Sequence, residues 1–424
     1  MNHFGVVAPA FYSHFQALQA LASALIDRGH RVTFFQQVDA RRWLTDPRVG
    51  FYAVGALSHP PGSLDGALRR AATSNNPLML RGVIRDLCTT TRMLCHELPP
   101  ALTQDGVDAL LCDQMEAAGG LVAEALAMPF VSVACALPVN REPHIPLAVM
   151  PFAYGEDERS RRMYDGSQRV YDWLMRPLRD VIRRASNQFE IEPRDGLHQC
   201  LSPYAQISQT ITAFDLPRHH LPTTFHAVGP LRGQAVASTG PWAINPERPF
   251  VFASLGTLQG GRLRMFRQIA KACAFLDTQL LIAHCGGLRP AHEERLRRDG
   301  ATWVTDFAPQ QWVLDHADAV VTHGGLNTVM DAIKARTPAL VMPIGFDQPG
   351  VAARVKHTGV GVSLGRHARA NSIRAALARL IEHPPAEPLH RLATALDQAG
   401  GTSRAADIVE QVVQTGRPVP AETR

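Results

Sequence analysis

Residues 319–348 read AVVTHGGLNTVMDAIKARTPALVMPIGFDQ and concentrate groups that bind phosphates and sugar hydroxyls. A short apolar run ends in His323-Gly324-Gly325 and passes into a helix-compatible stretch, and a second apolar run follows at residues 339–342. The pattern predicts a strand, a glycine turn, a helix and a strand. Such a turn presents unpaired backbone N–H groups and the positive end of a helix dipole, where a phosphate sits, with His323 as a further donor. Asn327, Thr328 and Asp331 recur at helical spacing, and Asp347-Gln348 stands just past the second strand. Sugar hydroxyls need such carboxylates and amides, so a nucleotide-sugar site is predicted.

Proton abstraction is the second chemistry. His14 follows an apolar run at residues 4–8 and a short loop, PAFYS, immediately before a helix-compatible stretch. A neutral imidazole, with a reference pKa of about 6.5, suits a general base. A carboxylate on its other nitrogen would hold the tautomer and stabilise the imidazolium that forms. Asp113 directly follows the apolar run at 109–112 and is expected at the same sheet edge. Asp108 precedes that run and reads as solvated, and Glu116 is the remaining alternative. An alcohol activated this way, attacking a sugar C1 opposite the leaving group, implies one displacement with inversion. The departing diphosphate needs its growing charge neutralised. No Asp-x-Asp triplet is present, and the helix N-terminus at Gly324-Gly325, with His323, Thr257 and Thr328, can supply that stabilisation. Neither a metal nor a cofactor is expected.

The elements that must position these groups are legible as alternating strands and helices. A strand over 4–8, a helix with Leu18, Leu21, Ala22 and Leu25 on one face, Gly29 as its cap and a strand over 31–35 make a first α/β unit. Continuous apolar runs at 109–112 and 130–134 predict parallel strands covered on both faces. Near Pro230 the pattern breaks, and residues 233–249 (GQAVASTGPWAINPERP) read as a linker. A second series follows at 250–254, 280–283, Val304, 319–322 and 339–342. The expected fold is α/β, with two doubly wound parallel-sheet domains facing a cleft. The divisions are residues 1–232, the linker 233–249, residues 250–401, and a C-terminal helix and tail at 402–424. Ligands in such domains lie outside the carboxyl ends of the strands, where the motifs fall.

At 424 residues the chain exceeds what one core usually organises. Its net charge of +5 is mild, and no basic run interleaved with aromatics suggests nucleic acid. Seven scattered cysteines without Cys-x-x-Cys spacing argue for a reducing compartment and against structural zinc. The longest uncharged apolar stretch, 125–139, contains Pro129 and Pro138 and is shorter than the roughly 20 residues a spanning helix needs. A cytoplasmic protein is expected.

The 319–348 segment resembles the donor signature of the UDP-dependent glycosyltransferases. The resemblance extends to Phe307-Ala308-Pro309-Gln310, similar to the family's aromatic-x-Pro-Gln box, and to Ser254-Leu255-Gly256-Thr257, similar to its phosphate turn. It implies the GT-B fold, a donor in the C-terminal domain and an acceptor in the N-terminal domain. The aromatic at Phe307 would stack on uracil, Gln310 and Asp331 would reach the ribose, and Asp347 and Gln348 the hexose, with Gln348 favouring glucose. It also implies the His14–Asp113 dyad, and a C-terminal tail crossing back onto the N-terminal domain. Asp331 stands where the family usually has Glu, Phe307 where plant members have Trp, and Thr337 where many have Gly.

Acceptor residues are not set by motifs. Residues 136–154, with four prolines among apolar side chains, and residues 60–98, with Met79, Leu80, Ile84, Leu87, Met93 and Leu94, are the candidate walls of an apolar pocket. Over nearly the whole chain the resemblance is to bacterial members that glucosylate carotenoids. It implies UDP-glucose as co-substrate, an apolar carotenoid acceptor and transient peripheral contact with the inner face of the cytoplasmic membrane. Alternatives are a UDP-hexose transferase for a macrolide, flavonoid or sterol, an NDP-sugar epimerase, and a non-enzymatic binding protein.

Overall fold

The computed structural model describes residues 1–73, 77–233 and 239–421. Seven parallel strands form the first sheet: β1 (His3–Val7), β2 (Arg31–Gln36), β3 (Gly50–Ala53), β4 (Ala109–Asp113), β5 (Phe130–Ala134), β6 (Ala205–Ser208) and β7 (Phe225–Ala227). Their order is β3-β2-β1-β4-β5-β6-β7. Six more, β8 (Phe250–Ser254), β9 (Gln279–Ala283), β10 (Trp303–Thr305), β11 (Ala319–Thr322), β12 (Ala339–Val341) and β13 (Gly361–Ser363), take the order β10-β9-β8-β11-β12-β13. Each sheet reverses direction of growth at its first strand, between β1 and β4 and between β8 and β11. These are the topological switch points where doubly wound sheets hold ligands. The expected two-domain GT-B architecture is therefore present.

Central strands are apolar throughout because helices cover both faces; β1, β4, β5, β8 and β9 are buried along their whole length. The Tyr12–Asp27 helix buries Phe15, Leu18, Leu21 and Leu25 in the first core. It stops where Gly29 takes φ +87° and donates to the Ile26 carbonyl at 2.9 Å. Strands β3, β6, β7 and β13 are short, and no periodicity announced them.

Of the expected linker, residues 234–238 lie outside the described residues. The part from 239 is held to the second domain: Trp242 packs against Trp312 at 6.2 Å, and Asn245 receives a bond from and gives one to Gln279. The C-terminal Gly401–Thr415 helix returns to the first domain. It buries Ala405, Ile408, Val409 and Val412 in the core with Leu18 and Leu21. Arg28 bonds Asp407 at 2.7 Å and Glu410 at 2.6 Å. At the crossing the two chain segments are tied together, since the Arg232 N–H donates to Thr402 Oγ1 and that hydroxyl donates to the Arg232 carbonyl, both at 2.8 Å.

Candidate active site

His14 lies in the first turn of the Tyr12–Asp27 helix, just past the end of β1, and Asp113 is the last residue of β4. Because β1 and β4 pair in register, Val7 opposite Cys112, their following residues share one sheet edge. His14 Nδ1 lies 2.7 Å from Asp113 Oδ2. Asp113 is buried, and its Oδ1 accepts from the Met115 N–H at 2.9 Å. A carboxylate on Nδ1 leaves Nε2 for the cavity, as a base requires. Burial works against the His14 imidazolium, yet the charge of Asp113, its hydrogen bond and the charge of Asp347 together hold the His14 pKa above the ordinary histidine value. The competing carboxylates are engaged elsewhere. Asp108 accepts from the His3 N–H at 2.7 Å. Glu116 caps the Ala117–Ala125 helix, accepts from Thr91, and is pushed up to about 7 by burial.

The second half of the site is built at the β8/β11 switch point. Gly256 follows β8 with φ +72°, and a Cβ there would stand 2.7 Å from His323 Cε1. At Gly325, which begins the Leu326–Lys334 helix, the corresponding distance is 2.8 Å. The imidazole is thus clasped between two residues that must lack side chains. Burial lowers its pKa to about 4, so it is a neutral hydrogen-bond donor at ordinary pH. Gly324 takes φ +88° and packs on Val341, so it shapes the turn from within.

One continuous cavity of about 1270 Å³ runs between the domains. His14, Ser254, Gly256, Thr257, Phe307, Ala308, Gln310, His323, Gly325, Asn327, Thr328, Asp331, Asp347 and Gln348 all line it. Asp113, behind His14, and Gly324, inside the turn, do not. Phe307 presents a ring that is 64% exposed within this cleft, suited to stacking on a base. Asp347 is partly buried and held by a 3.1 Å bond from the Leu137 N–H of the opposite domain; removal from solvent raises its pKa. Gln348 is partly committed, because its Oε1 accepts from the Ile344 and Gly345 N–H groups at 2.9 Å each, so its ligand-facing contribution is the amide NH₂.

The most informative omission from the sequence reading is Arg232. Its guanidinium donates to Asp331 Oδ1 at 2.9 and 3.1 Å and to the Asn327 carbonyl at 3.2 Å, while Gln310 donates to Asp331 Oδ2 at 2.7 Å. The carboxylate expected at the ribose is therefore oriented by a residue of the interdomain crossing. No motif marks that arginine, because its partners lie 95 and 99 residues away. Thr337 has a structural role, donating to the Leu314 carbonyl at 2.7 Å.

Acceptor-side expectations divide. Of residues 136–154, 136–141 and 145–149 wall the cavity while 142–144 and 150–154 do not; Val83 and Leu87 line it too, but Ile84, Met93 and Leu94 are packed in the first domain's core. Their helical spacing was that of ordinary packing. The Arg176–Gln188 helix, through Leu178 and Ile182, and His198, which burial lowers to about 4, also line the cavity and were not anticipated.

Two groups of side chains among the described residues have the composition of metal ligands. In the His14–Asp113–Cys135 group, burial and Asp113 push the Cys135 thiol well up, which disfavours the thiolate a metal would need. In the other, His284 Nδ1 accepts from the Leu288 N–H at 3.2 Å, which puts the proton on Nε2, the nitrogen facing Glu293 and Asp306. A protonated nitrogen does not ligate.

The sequence profile of the family described as UDP-glucoronosyl and UDP-glucosyl transferase matches residues 70–394. The chain is 50% identical to a zeaxanthin glucosyltransferase of Pantoea ananas, over 99% of this chain and 98% of that protein. It is 47% identical to another of Pseudescherichia vulneris, over 97% and 98%. Among solved structures, the glycotransferase of kitacinnamycin superposes with a TM-score of 0.75 at 20% identity, covering 97% of this chain and 98% of that one, a likeness of fold alone. With the His14–Asp113 pair on one wall of the cleft and the glycine turn at His323 on the other, this chain belongs to the UDP-glucoronosyl and UDP-glucosyl transferase family and is a glycosyltransferase, joining a nucleotide-sugar donor to an acceptor.

Proposed function

We propose that the enzyme transfers glucose from UDP-glucose to the hydroxyl groups of zeaxanthin, with inversion at C1 and without a metal. The observation that carries this reading is the single cavity in which His14, the His323 turn and an apolar wall meet. Apolar surface makes up most of its lining, in keeping with a long hydrocarbon acceptor. Glucosyl transfer to zeaxanthin is the activity named for the Pantoea ananas and Pseudescherichia vulneris relatives, at 50% and 47% identity.

In this mechanism the donor's uracil stacks on Phe307, its ribose meets Asp331 and Gln310, and its diphosphate sits at the N-terminus of the Leu326–Lys334 helix. His323, Thr257 and Thr328 donate to the phosphate oxygens as charge grows on the leaving group. Asp347 and the Gln348 amide take the hexose hydroxyls, which places C1 toward His14. His14 Nε2 accepts the acceptor's hydroxyl proton while the oxygen attacks C1 and the C1–phosphate bond breaks. Asp113 and Asp347 stabilise the imidazolium. The proton then leaves to solvent and UDP departs. An acceptor of this class resides in a bilayer, so the enzyme meets a membrane surface at least briefly.

The test is product mass after incubation with UDP-glucose and detergent-dispersed zeaxanthin. Gain of one or two hexoses in EDTA, with an α-linked donor giving a β-glucoside, is expected. Transfer to other alcohols but not to zeaxanthin would discard the acceptor; dependence on added Mg²⁺ would discard the metal-free mechanism.

A further inference from the structure

The Glu158–Leu174 helix, at the acceptor end of the cavity, has two faces that meet different surroundings. Its inner face carries Tyr164, which is buried and bonds the Ala153 carbonyl at 2.6 Å, and Tyr171, which lines the cavity. At about 100° per residue, the opposite face gathers Arg159, Arg162, Met163, Gly166, Arg169, Val170 and Trp173 into an arc of roughly 120°. Trp173 is 65% exposed and Val170 56%. A side chain added at Gly166 would touch nothing within 4 Å among the described residues, so the middle of this face is open. No carboxylate falls within the arc. Glu158, Asp165 and Asp172 lie on the adjoining flank, where Glu158 pairs with Arg162 and Asp172 with Arg141.

Charge decides what fits. Residues 158–188, this helix and the next, carry eight arginines against four carboxylates, and so hold four of the chain's five net positive charges. A stripe of Trp, Val and Met edged by arginines matches the boundary of an anionic bilayer, with apolar side chains entering the acyl region and guanidinium groups meeting phosphates. Among the described residues no helix is long and apolar enough to cross a membrane, so contact through this helix would be one of surface docking.

We propose that the solvent face of the Glu158–Leu174 helix docks the enzyme on anionic phospholipid bilayers. Docked this way, the helix is the wall between bilayer and cavity. Tyr171 then faces the space an acceptor enters while Trp173, two residues on, faces lipid. The proposal rests on the reading of a bilayer-resident acceptor, yet its test needs no acceptor.

The experiment is flotation of purified protein with vesicles of equal parts phosphatidylglycerol and phosphatidylcholine, against pure phosphatidylcholine, at low and high salt. Wild type is expected to float with the anionic vesicles at low salt and to stay behind with the neutral ones. Arg159→Gln/Arg162→Gln/Arg169→Gln should lower the partition coefficient on the order of a hundredfold, and Val170→Ser/Trp173→Ser about tenfold or more. Both variants alter exposed side chains and should retain the wild-type unfolding midpoint and turnover with detergent-dispersed acceptor, while losing turnover with acceptor in vesicles. Failure of wild type to float, flotation of both variants like wild type, or a concentration-dependent dimer abolished by Trp173→Ser would overturn the proposal. Lack of hexose transfer to zeaxanthin with flotation intact would instead remove the acceptor and leave the surface.

Discussion

His14 is subject to opposed electrostatic demands. Burial favours its neutral form, and the carboxylates of Asp113 and Asp347 favour the cation strongly enough to raise its pKa. In its proposed role as base His14 works when neutral, so activity should fall as pH drops through that raised value. The acid limb of kcat/KM is expected above pH 6.5, the ordinary histidine pKa of about 6.5 being the reference. Asp113→Asn removes the main charge that opposes burial, so the limb should move to lower pH while the plateau falls; a limb that stays put would assign it to another group. The raised pKa also has a stability sign. It stabilises the fold below about pH 6.5, and the contribution fades as pH rises through the folded value. His14→Ala is expected to lower kcat on the order of 10²-fold or more while UDP affinity, read by calorimetry, stays near wild type.

At the level of elements, the donor turn depends on close approach of backbone to imidazole. Gly325→Ala brings a methyl within 2.8 Å of His323 Cε1, and that ring has no room to retreat between Gly325 and Gly256. On the proposed mechanism the donor KM should rise about tenfold or more, because His323 would be displaced from the phosphate it is proposed to bind, the loss of a hydrogen bond to a charged group being worth about 1.5–3 kcal/mol. Acceptor KM should move little. The crossing segment has a comparable lever in Arg232. Replacing it by Gln frees Asp331 Oδ1 and the Asn327 carbonyl, so the donor KM should again rise about tenfold, by the same hydrogen-bond energies. An unchanged donor KM would reduce Arg232 to a hinge support.

Across the whole molecule, the cleft's width is set by contacts that join the two domains behind the cavity. Arg354, buried in the Gln348–Thr358 helix, donates to Asp215 at 2.7 Å, and Asp215 also receives Arg218, which reaches Glu142. Gly350, on the same helix, leaves no space for a side chain, since a Cβ would lie 2.0 Å from the Ala148 carbonyl. That helix starts at Asp347 and Gln348, so its anchorage to the first domain holds these two residues on the wall opposite His14. Asp215→Ala strands the buried Arg354 guanidinium and leaves Arg218 only Glu142 as a carboxylate partner; it should destabilise the protein by about 3–5 kcal/mol, seen as a lowered denaturant midpoint, with turnover falling before unfolding. The Asp215 pKa, lowered by the two arginines against the effect of burial, makes this contribution present above about pH 3.9 and lost as pH falls through the lower folded value.

Much of this protein is written locally. A strand that ends in glycine and resumes as a helix is recognisable within thirty residues, because period, turn chemistry and capping are short-range effects. From those patterns alone came the doubly wound class, the strand–glycine–helix turn at His323, and a histidine placed just past the end of β1. What tertiary structure decided were contacts between distant residues whose register no period encodes. Asp113 meets His14 across 99 residues while Glu116, three positions on, turns inward to cap a helix. Leu137 holds Asp347 across 210, and Arg232 reaches Asp331 from the crossing. The apolar wall shows the same division: Leu87 and Leu94 share one helical pattern, and only the packing of that helix sends one to the cavity and the other to the core. Hydrophobic burial is non-directional, so a sequence can specify that both be removed from water without specifying which one a ligand will touch.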